Sequence, residues 1–207
     1  QLPGLSYPSF SELKKKKYDE VIQEFDNWIE INKDSITSLD LNNLGLNCMG
    51  LGLSYLPESL GNLYNLKRLD LRGNQLRILP DSFGNLSNLE NLNLYENQLR
   101  TLPDSIGKLN SLDFLELGSN KLRTLPDSLG NLSNLITLDL DNNQLSTLPD
   151  SLGNLSSLKN LFLRRNQLRI LPDSLGKLNN LQRLEYGGNP LRTIPQSIQA
   201  LNLEEIY

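Results

Sequence analysis

Hydrophobic and polar residues follow one fixed frame along most of the chain. From Asn65 onward, leucine, asparagine, proline and glycine return every 23 residues, in six consecutive segments that cover residues 65–202. The shared frame is xLxxLxLxxNxLxxLPxSxGxLx, and we number its positions 1 to 23. Self-similarity at this period is typical of a solenoid, in which each repeat is one structural unit and neighbouring units share a core.

The first half of each repeat predicts a short strand. Apolar and polar residues alternate in the LxL segment, so we expect Leu69 and Leu71 to face the core and Asp70 to face solvent. One such strand cannot bury its apolar side alone. Stacking the copies at roughly 4.8 Å builds a parallel sheet over one continuous leucine core.

The second half predicts how the chain returns to the next strand. The chain turns after the strand, and a buried asparagine amide at position 10 can donate to and accept from the backbone groups left unpaired there. Proline at position 16 and glycine at position 20 predict a non-helical return segment. The asparagines at position 10 are Asn74, Asn97, Asn120, Asn143, Asn166 and Asn189.

These segments resemble the leucine-rich repeat, whose pattern is LxxLxLxxNxL. The resemblance covers residues 35–207. The LPDSLGNL half is similar to the repeats of bacterial leucine-rich repeat proteins and of intracellular Scribble and Ras-pathway scaffold proteins. The resemblance implies an α/β fold, namely a right-handed solenoid or horseshoe with a parallel concave β-sheet.

Residues 1–34 predict an N-terminal helical cap. Residues 9–32 read as an amphipathic helix, with Ser9 and Glu12 spaced as a capping box and Phe25 and Trp28 on the apolar face. A terminal repeat exposes one side of its core, so we expect this helix to cover the first leucine layer. A partner-binding helix is the alternative.

The first repeat, residues 35–64, is irregular and spans 30 residues instead of 23. Its extra segment, around residues 44–53, contains Cys48 and Met49 and several glycines, which predicts a loop at the edge where the strands end. The insertion is either an irregularity of the cap or an insertion on the binding face.

The six regular repeats occupy residues 65–202, and residues 203–207 match the start of a further strand, one residue early. An open leucine edge invites pairing with another chain. We therefore expect either further residues beyond Tyr207 or a homodimer that forms through this C-terminal edge.

Composition narrows the possible functions. The chain has 50 leucines among 207 residues, no histidine and one cysteine, so it has no serine–histidine triad, no disulfide framework and no thiolate metal site. A net charge of −4 argues against nucleic acid as a partner, and no run of 18 apolar residues predicts a membrane span. We expect no enzyme activity, no cofactor, and a location in the cytoplasm or, for a bacterial protein, outside it without disulfides.

Positions 4, 6 and 8 differ from repeat to repeat and are not fixed by the frame, so they can determine what the surface binds. They should point from the strands onto the concave surface, where position 6 forms a row with five acidic residues. Aromatic and arginine side chains anchor protein interfaces, and small Gly118 leaves room beside Phe114 and Tyr95. Isolated exposed aromatics are the plainer explanation. The predicted partner-binding residues are Tyr95, Phe114, Phe162, Arg72, Arg164, Glu116, Asp139 and Asp141.

Arginine at position 13 and aspartate at position 17 predict a second feature, a ladder of exposed ion pairs along the edge of the solenoid. Each exposed pair would contribute about 0 to 1 kcal/mol to the free energy of unfolding. Arginine occupies position 13 in five of the six regular repeats.

The leading hypothesis is a non-catalytic module that binds a protein partner on its concave sheet. One alternative is the substrate-recognition part of a larger bacterial effector or enzyme whose chemistry lies outside this chain. The other is a structural protein that associates with itself.

Overall fold

A computed structural model describes residues 18–42, 56–201, 203 and 205–206. The predicted capping box at Ser9 and Glu12 and the insertion with Cys48 and Met49 lie outside the described residues.

In the described part of the chain, eight parallel strands form one sheet, in the order in which they occur along the chain. Each strand pairs with the next at the same repeat position, so that Leu115 lies opposite Leu138 and Glu116 lies opposite Asp139. The 23-residue period of the sequence thereby becomes rows of side chains across the sheet. The strands are β1 (Ser38–Asp40), β2 (Arg68–Asp70), β3 (Asn91–Asn93), β4 (Phe114–Glu116), β5 (Thr137–Asp139), β6 (Asn160–Phe162), β7 (Arg183–Glu185) and β8 (Glu205–Ile206).

A short 3-10 helix occupies the return segment of each repeat from residue 58 to residue 177. The prediction of a non-helical return was therefore wrong. Pro80, at φ −68° and ψ 152°, supplies the extended residue before the helix, and the amide of Phe83 donates to its carbonyl at 3.1 Å. The helices are η1 (Glu58–Asn62), η2 (Asp81–Asn85), η3 (Asp104–Lys108), η4 (Asp127–Asn131), η5 (Asp150–Asn154) and η6 (Asp173–Lys177).

The leucine core lies between the sheet and the stacked 3-10 helices and forms one continuous cluster. In the repeat of residues 134–156, Leu138 and Leu140 from the strand side and Leu152 from η5 are fully buried. Each buried leucine contributes about 1.5–3 kcal/mol relative to an exposed one. The small rotation between successive repeats curves a solenoid and makes one of its faces concave. We call the solvent side of the sheet the concave face.

Among the residues that the structure describes, two α-helices flank the repeats. The N-terminal helix α1 (Tyr18–Asn32) buries Phe25 and Ile29 in the core cluster, and Trp28 packs partly buried against it. In the last repeat, α2 (Gln196–Gln199) replaces the 3-10 helix and buries Ile198. Strand β8 begins with Glu205 opposite Arg183.

The asparagines at position 10 form a buried hydrogen-bond ladder, which confirms the role predicted for them. The Nδ2 of Asn120 donates to the carbonyls of Leu94 and Leu117 at 2.9 and 3.0 Å, and its Oδ1 accepts from the amide of Leu99 at 3.0 Å. Leu94 and Leu99 belong to the preceding repeat, so each amide joins two repeats.

The residue just before each of these asparagines has a left-handed backbone conformation. Only two of the six are glycines, and the others are held there by the surrounding repeats although this conformation costs a non-glycine residue roughly 1–2 kcal/mol. These residues are Gly73, Glu96, Ser119, Asn142, Arg165 and Gly188, with φ between 52° and 76°.

Glycine at position 20 has a packing role that the sequence pattern did not suggest. A Cβ added to Gly130 would lie 2.2 Å from the carbonyl oxygen of Ser151, in the next 3-10 helix. The Ser151 hydroxyl oxygen is buried and has no hydrogen-bond partner within the chain. The same contact of glycine with serine recurs between neighbouring repeats, so this glycine sets the spacing of the 3-10 helices.

We predict that Asn120→Ala lowers the free energy of unfolding by about 2–4 kcal/mol, because it leaves buried backbone groups unpaired. Asn131→Ala, at the exposed end of η4, is the matched control and should change it by less than about 0.5 kcal/mol. Urea unfolding followed by circular dichroism measures both. Equal effects of the two substitutions would contradict the role of the ladder.

A second pair of substitutions tests the glycine contact. Gly130→Ala should destabilise the chain by about 1–3 kcal/mol or more, since the added methyl meets backbone that cannot rotate away. Ser151→Ala removes a hydroxyl that has no partner, and should leave stability unchanged or raise it by up to about 1 kcal/mol. A Gly130→Ala protein with wild-type melting temperature would disprove the close contact.

Candidate functional site

The predicted binding residues all belong to positions 4, 6 and 8, along the concave face. Phe114, on β4, keeps 40% of its surface exposed. Tyr95 and Phe162 are half-buried, as are Glu116, Asp139, Asp141 and Arg164, whereas Arg72 is exposed. Of the three aromatic residues predicted to bind a partner, only Phe114 is therefore exposed.

Tyr95 and Asp139 meet across Gly118. A Cβ on Gly118 would lie 3.0 Å from Cδ2 of Tyr95 and 3.2 Å from both carboxylate oxygens of Asp139. The space that glycine leaves is thus occupied by the tyrosine ring and this carboxylate. The structure brings together two predicted site residues that lie 44 positions apart in the sequence.

Phe162 lies in a network of paired charges at the C-terminal end of the concave face. The guanidinium carbon of Arg183 lies 5.5 Å from the centre of the Phe162 ring. Arg183 Nε and Arg164 Nη1 bond to the two carboxylate oxygens of Glu185, at 2.6 and 2.8 Å. Glu185 is only 2% exposed. Glu185 therefore adds no negative charge to the concave surface, although it belongs to the row of acidic residues at position 6.

Sequence reasoning missed the part that Arg183 plays in this network. The available signal was its position, diagonal to Phe162 on the neighbouring strand and two residues before Glu185 on the same face. Diagonal neighbours across a sheet are within reach of aromatic and long side chains.

Three carboxylates in the middle of the concave face have raised pKa values. Burial, and then the charge of Asp139 and Asp70, raises the pKa of Glu116, against the opposing effect of Arg72. Burial also raises the pKa of Asp139, although the amide of Asp141 donates to its Oδ1 at 2.8 Å. These groups repel one another and have lost part of their water, so a cation placed among them would be held favourably.

Asp141 carries the largest of these shifts. Burial raises its pKa to about 6, with further contributions from Asp139 and Glu185. The amide of Arg164, one repeat further on, donates to its Oδ1 at 2.7 Å and partly offsets the rise. An ionised Asp141 therefore lowers the stability of the folded chain at neutral pH.

A shallow depression of about 300 Å³ lies over the first four strands. Phe114 and Glu116 on β4 line it, as do Arg68 and Asp70 on β2. An aromatic ring, carboxylates and open space occur together in this depression.

The predicted ladder between positions 13 and 17 does not form. Within the described ranges, no arginine at position 13 makes an ion pair with an aspartate at position 17. Arg123 instead donates from Nε to Oε1 of Gln144 at 3.4 Å. The rigid LP step and the start of the 3-10 helix separate the two rows, and exposed partners gain too little from pairing to close the gap.

The described part of the chain contains no group of three or more acidic or cysteine side chains that is arranged to hold a metal ion. None of its described helices has the length and apolar character needed to span a membrane.

We predict that Asp141→Asn stabilises the chain at pH 7.5 and not at pH 4. The folded-state pKa exceeds the unfolded value of about 3.9, so the native state binds more protons between these values and stability falls as pH rises from about 4 to 6. The full linkage is about 1.4 kcal/mol per pH unit. Solvent around the half-exposed carboxylate screens it, so the expected gain is about 1 kcal/mol.

Chemical unfolding at the two pH values measures this gain. Asparagine keeps an oxygen that accepts from the amide of Arg164. Asp127→Asn removes the same charge from η4, away from the concave face, and controls for net charge. An equal gain from Asp127→Asn at pH 7.5 would refute the local origin of the effect.

Comparisons with known proteins agree with this architecture. The family described as "Leucine-rich repeat region" matches residues 30–120, 84–166 and 111–203. A leucine-rich repeat protein of Leptospira interrogans is similar in structure, with a TM-score of 0.76 and 33% identity over 96% of this chain and 52% of that one. No curated protein matches the sequence.

Two plant receptors are also similar in structure. The ectodomain of the Arabidopsis thaliana membrane receptor kinase GASSHO1/SCHENGEN3, in complex with CASPARIAN STRIP INTEGRITY FACTOR 2, gives a TM-score of 0.71 and 33% identity over 84% of this chain and 20% of that one. The plant peptide hormone receptor RGFR1, in complex with RGF2, gives 0.63 and 32% identity over 83% and 32%.

The chain spans about half of the Leptospira protein and a fifth to a third of the two plant receptors. The family match extends from residue 30 to residue 203, across strands β1 to β7, the asparagine ladder and most of the leucine core. The chain belongs to the leucine-rich repeat family.

Proposed function

We propose that this chain is a non-catalytic recognition module that binds a protein or peptide partner on its concave face. The observation that carries the proposal is the exposed ring of Phe114 among half-buried carboxylates on a preformed sheet. The leucines at positions 5 and 7 already fill the core, so the packing of the fold does not require an aromatic residue there.

The rigidity of the surface favours tight recognition. Strands β2 to β7 are hydrogen-bonded on both sides, and the buried amides of the asparagine ladder hold the strand ends. A partner that docks on such a surface orders few new groups, so less of the contact energy is lost to conformational entropy.

The electrostatics favour a partner with basic residues. Glu116, Asp139 and Asp141 lie close together with raised pKa values, so the folded chain gains when a cation neutralises them. Complementary charge also raises the rate of encounter with such a partner. Arg164 is already paired with Glu185, so we assign its guanidinium a smaller part in binding than Phe114 and Tyr95 have.

Two similar receptors were solved with bound ligands named as an integrity factor and as RGF2, and RGFR1 is named as a peptide hormone receptor. These names support a peptide or protein as the class of partner.

The proposal is tested by selecting peptides from a random peptide library displayed on phage, with the chain immobilised. Enriched peptides should lose at least about tenfold in affinity for the double variant Tyr95→Ala and Phe114→Ala, since each anchor contributes about 1 kcal/mol or more. Isothermal titration calorimetry with synthetic peptides measures the change.

A matched control removes two exposed apolar side chains away from the sheet. Ile78 and Ile170, both at position 14, are 52% and 61% exposed, and the double variant with alanine at both should bind within about twofold of wild type. Enrichment of no peptide, or equal losses in the two double variants, would reject the concave face as the binding surface.

A further inference from the structure

The concave face contains its own example of a guanidinium bound by an aromatic ring and a carboxylate. Arg183 lies over the ring of Phe162 at 5.5 Å and donates from Nε to Glu185 at 2.6 Å. The three residues lie on the neighbouring strands β6 and β7. A cation over an aromatic face and a charge-assisted hydrogen bond stabilise one another in such a site.

Strand β4 carries the same two kinds of side chain without the cation. Phe114 is exposed, and the carboxylate of Glu116 is half-buried. Among the described residues, no arginine or lysine lies over the Phe114 ring, and no hydrogen bond or ion pair reaches the Glu116 carboxylate. Both side chains line the depression over the first four strands.

The spacing on β4 suits a guanidinium. Phe114 and Glu116 occupy positions 4 and 6 of one strand, as Arg183 and Glu185 do on β7. On β7 the guanidinium of Arg183, at position 4, reaches the carboxylate of Glu185, at position 6. Alternate residues of a strand lie on the same face about 6.6 Å apart, so a guanidinium stacked on the Phe114 ring is within reach of the Glu116 carboxylate.

We propose that the depression beside Phe114 binds an arginine side chain of the partner, with its guanidinium stacked on the Phe114 ring and paired with the Glu116 carboxylate. This inference rests on the proposed function and names the chemistry that the concave face recognises. Asp70, on the floor of the same depression, adds negative potential.

Arginine fits this site better than lysine does. Its planar group stacks on an aromatic face while it donates in its own plane, whereas the ammonium of lysine is a strongly hydrated point charge. A depression of about 300 Å³ matches the lower end of the range for small-ligand pockets, so it takes one side chain.

The charged residues near the depression have opposite effects on the binding of a cation. Burial and the neighbouring Asp139 and Asp70 raise the pKa of Glu116. A bound cation would therefore stabilise its ionised carboxylate. Arg68, exposed in the same depression, repels a second cation. Removal of Arg68 should therefore strengthen binding, which loss of a merely structural residue would not do.

The probe is the tripeptide acetyl-Gly-Arg-Gly-amide, titrated into the ¹⁵N-labelled full chain and followed by heteronuclear NMR. We expect saturable shifts in the backbone amides of β2, β3 and β4. The matching citrulline peptide keeps the shape and loses the charge, and should bind at least about tenfold more weakly. Absence of saturable shifts up to the solubility limit, or equal binding of the two peptides, would overturn the proposal.

Variants locate the site. Glu116→Gln should weaken arginine binding about tenfold, and Phe114→Leu, which keeps an apolar side chain without the aromatic face, about threefold. Arg68→Ala should strengthen it about twofold. Ile78→Ala is the control and should leave the affinity unchanged, and the spectrum of each variant reports whether it is folded.

The outcomes separate this inference from the proposed function. Library peptides that need Tyr95 and Phe114 but contain no arginine would keep the concave face as the binding surface and reject the arginine site. Arginine binding that is insensitive to Glu116→Gln and Phe114→Leu would place the cation elsewhere, and would also reject the site.

Discussion

The buried amide of the asparagine at position 10 is the interaction on which the rest of the structure depends. Where each strand ends, the chain turns inside a leucine core that offers no water to its backbone groups. Asn97 donates to Leu71 of the preceding repeat and to Leu94 of its own, and its Oδ1 accepts from Leu76. Because each amide satisfies groups of two repeats, a repeat cannot shift against its neighbour without leaving buried polar groups unpaired.

That fixed register has a cost on the concave face. Equal positions lie side by side, so acidic residues at position 6 stand on adjacent strands, as Glu116 and Asp139 do. These acidic residues occur in two arrangements. Near β7 the chain pairs Glu185 with two arginines and buries it, whereas in the middle it leaves half-buried carboxylates with raised pKa values. The raised pKa values mean that ionisation of these carboxylates opposes folding, and under the proposed function they are the groups that would meet a cationic partner.

Much of the fold could be predicted from the residues, and the exceptions have physical causes. The period, the inward leucines and the buried asparagines followed from the pattern, because each repeat obeys the same local rules. The return segment did not. Proline and glycine predict a non-helical segment, but Pro80 only fixes the residue before the 3-10 helix. Gly130 is needed because a Cβ there would lie 2.2 Å from the carbonyl oxygen of Ser151 in the next repeat.

The candidate site was predicted as a set of positions and not as an arrangement. The sequence by itself determined which side chains face the concave side, since alternation along a strand and the constant period assign every residue to a row. Only the tertiary structure decided which of them interact: Tyr95 and Asp139 closing over Gly118, Arg183 occupying the face of Phe162, and Phe114 left open. The reason is that these contacts join residues on different repeats, and their formation depends on side-chain length and direction at a strand spacing that no single repeat contains.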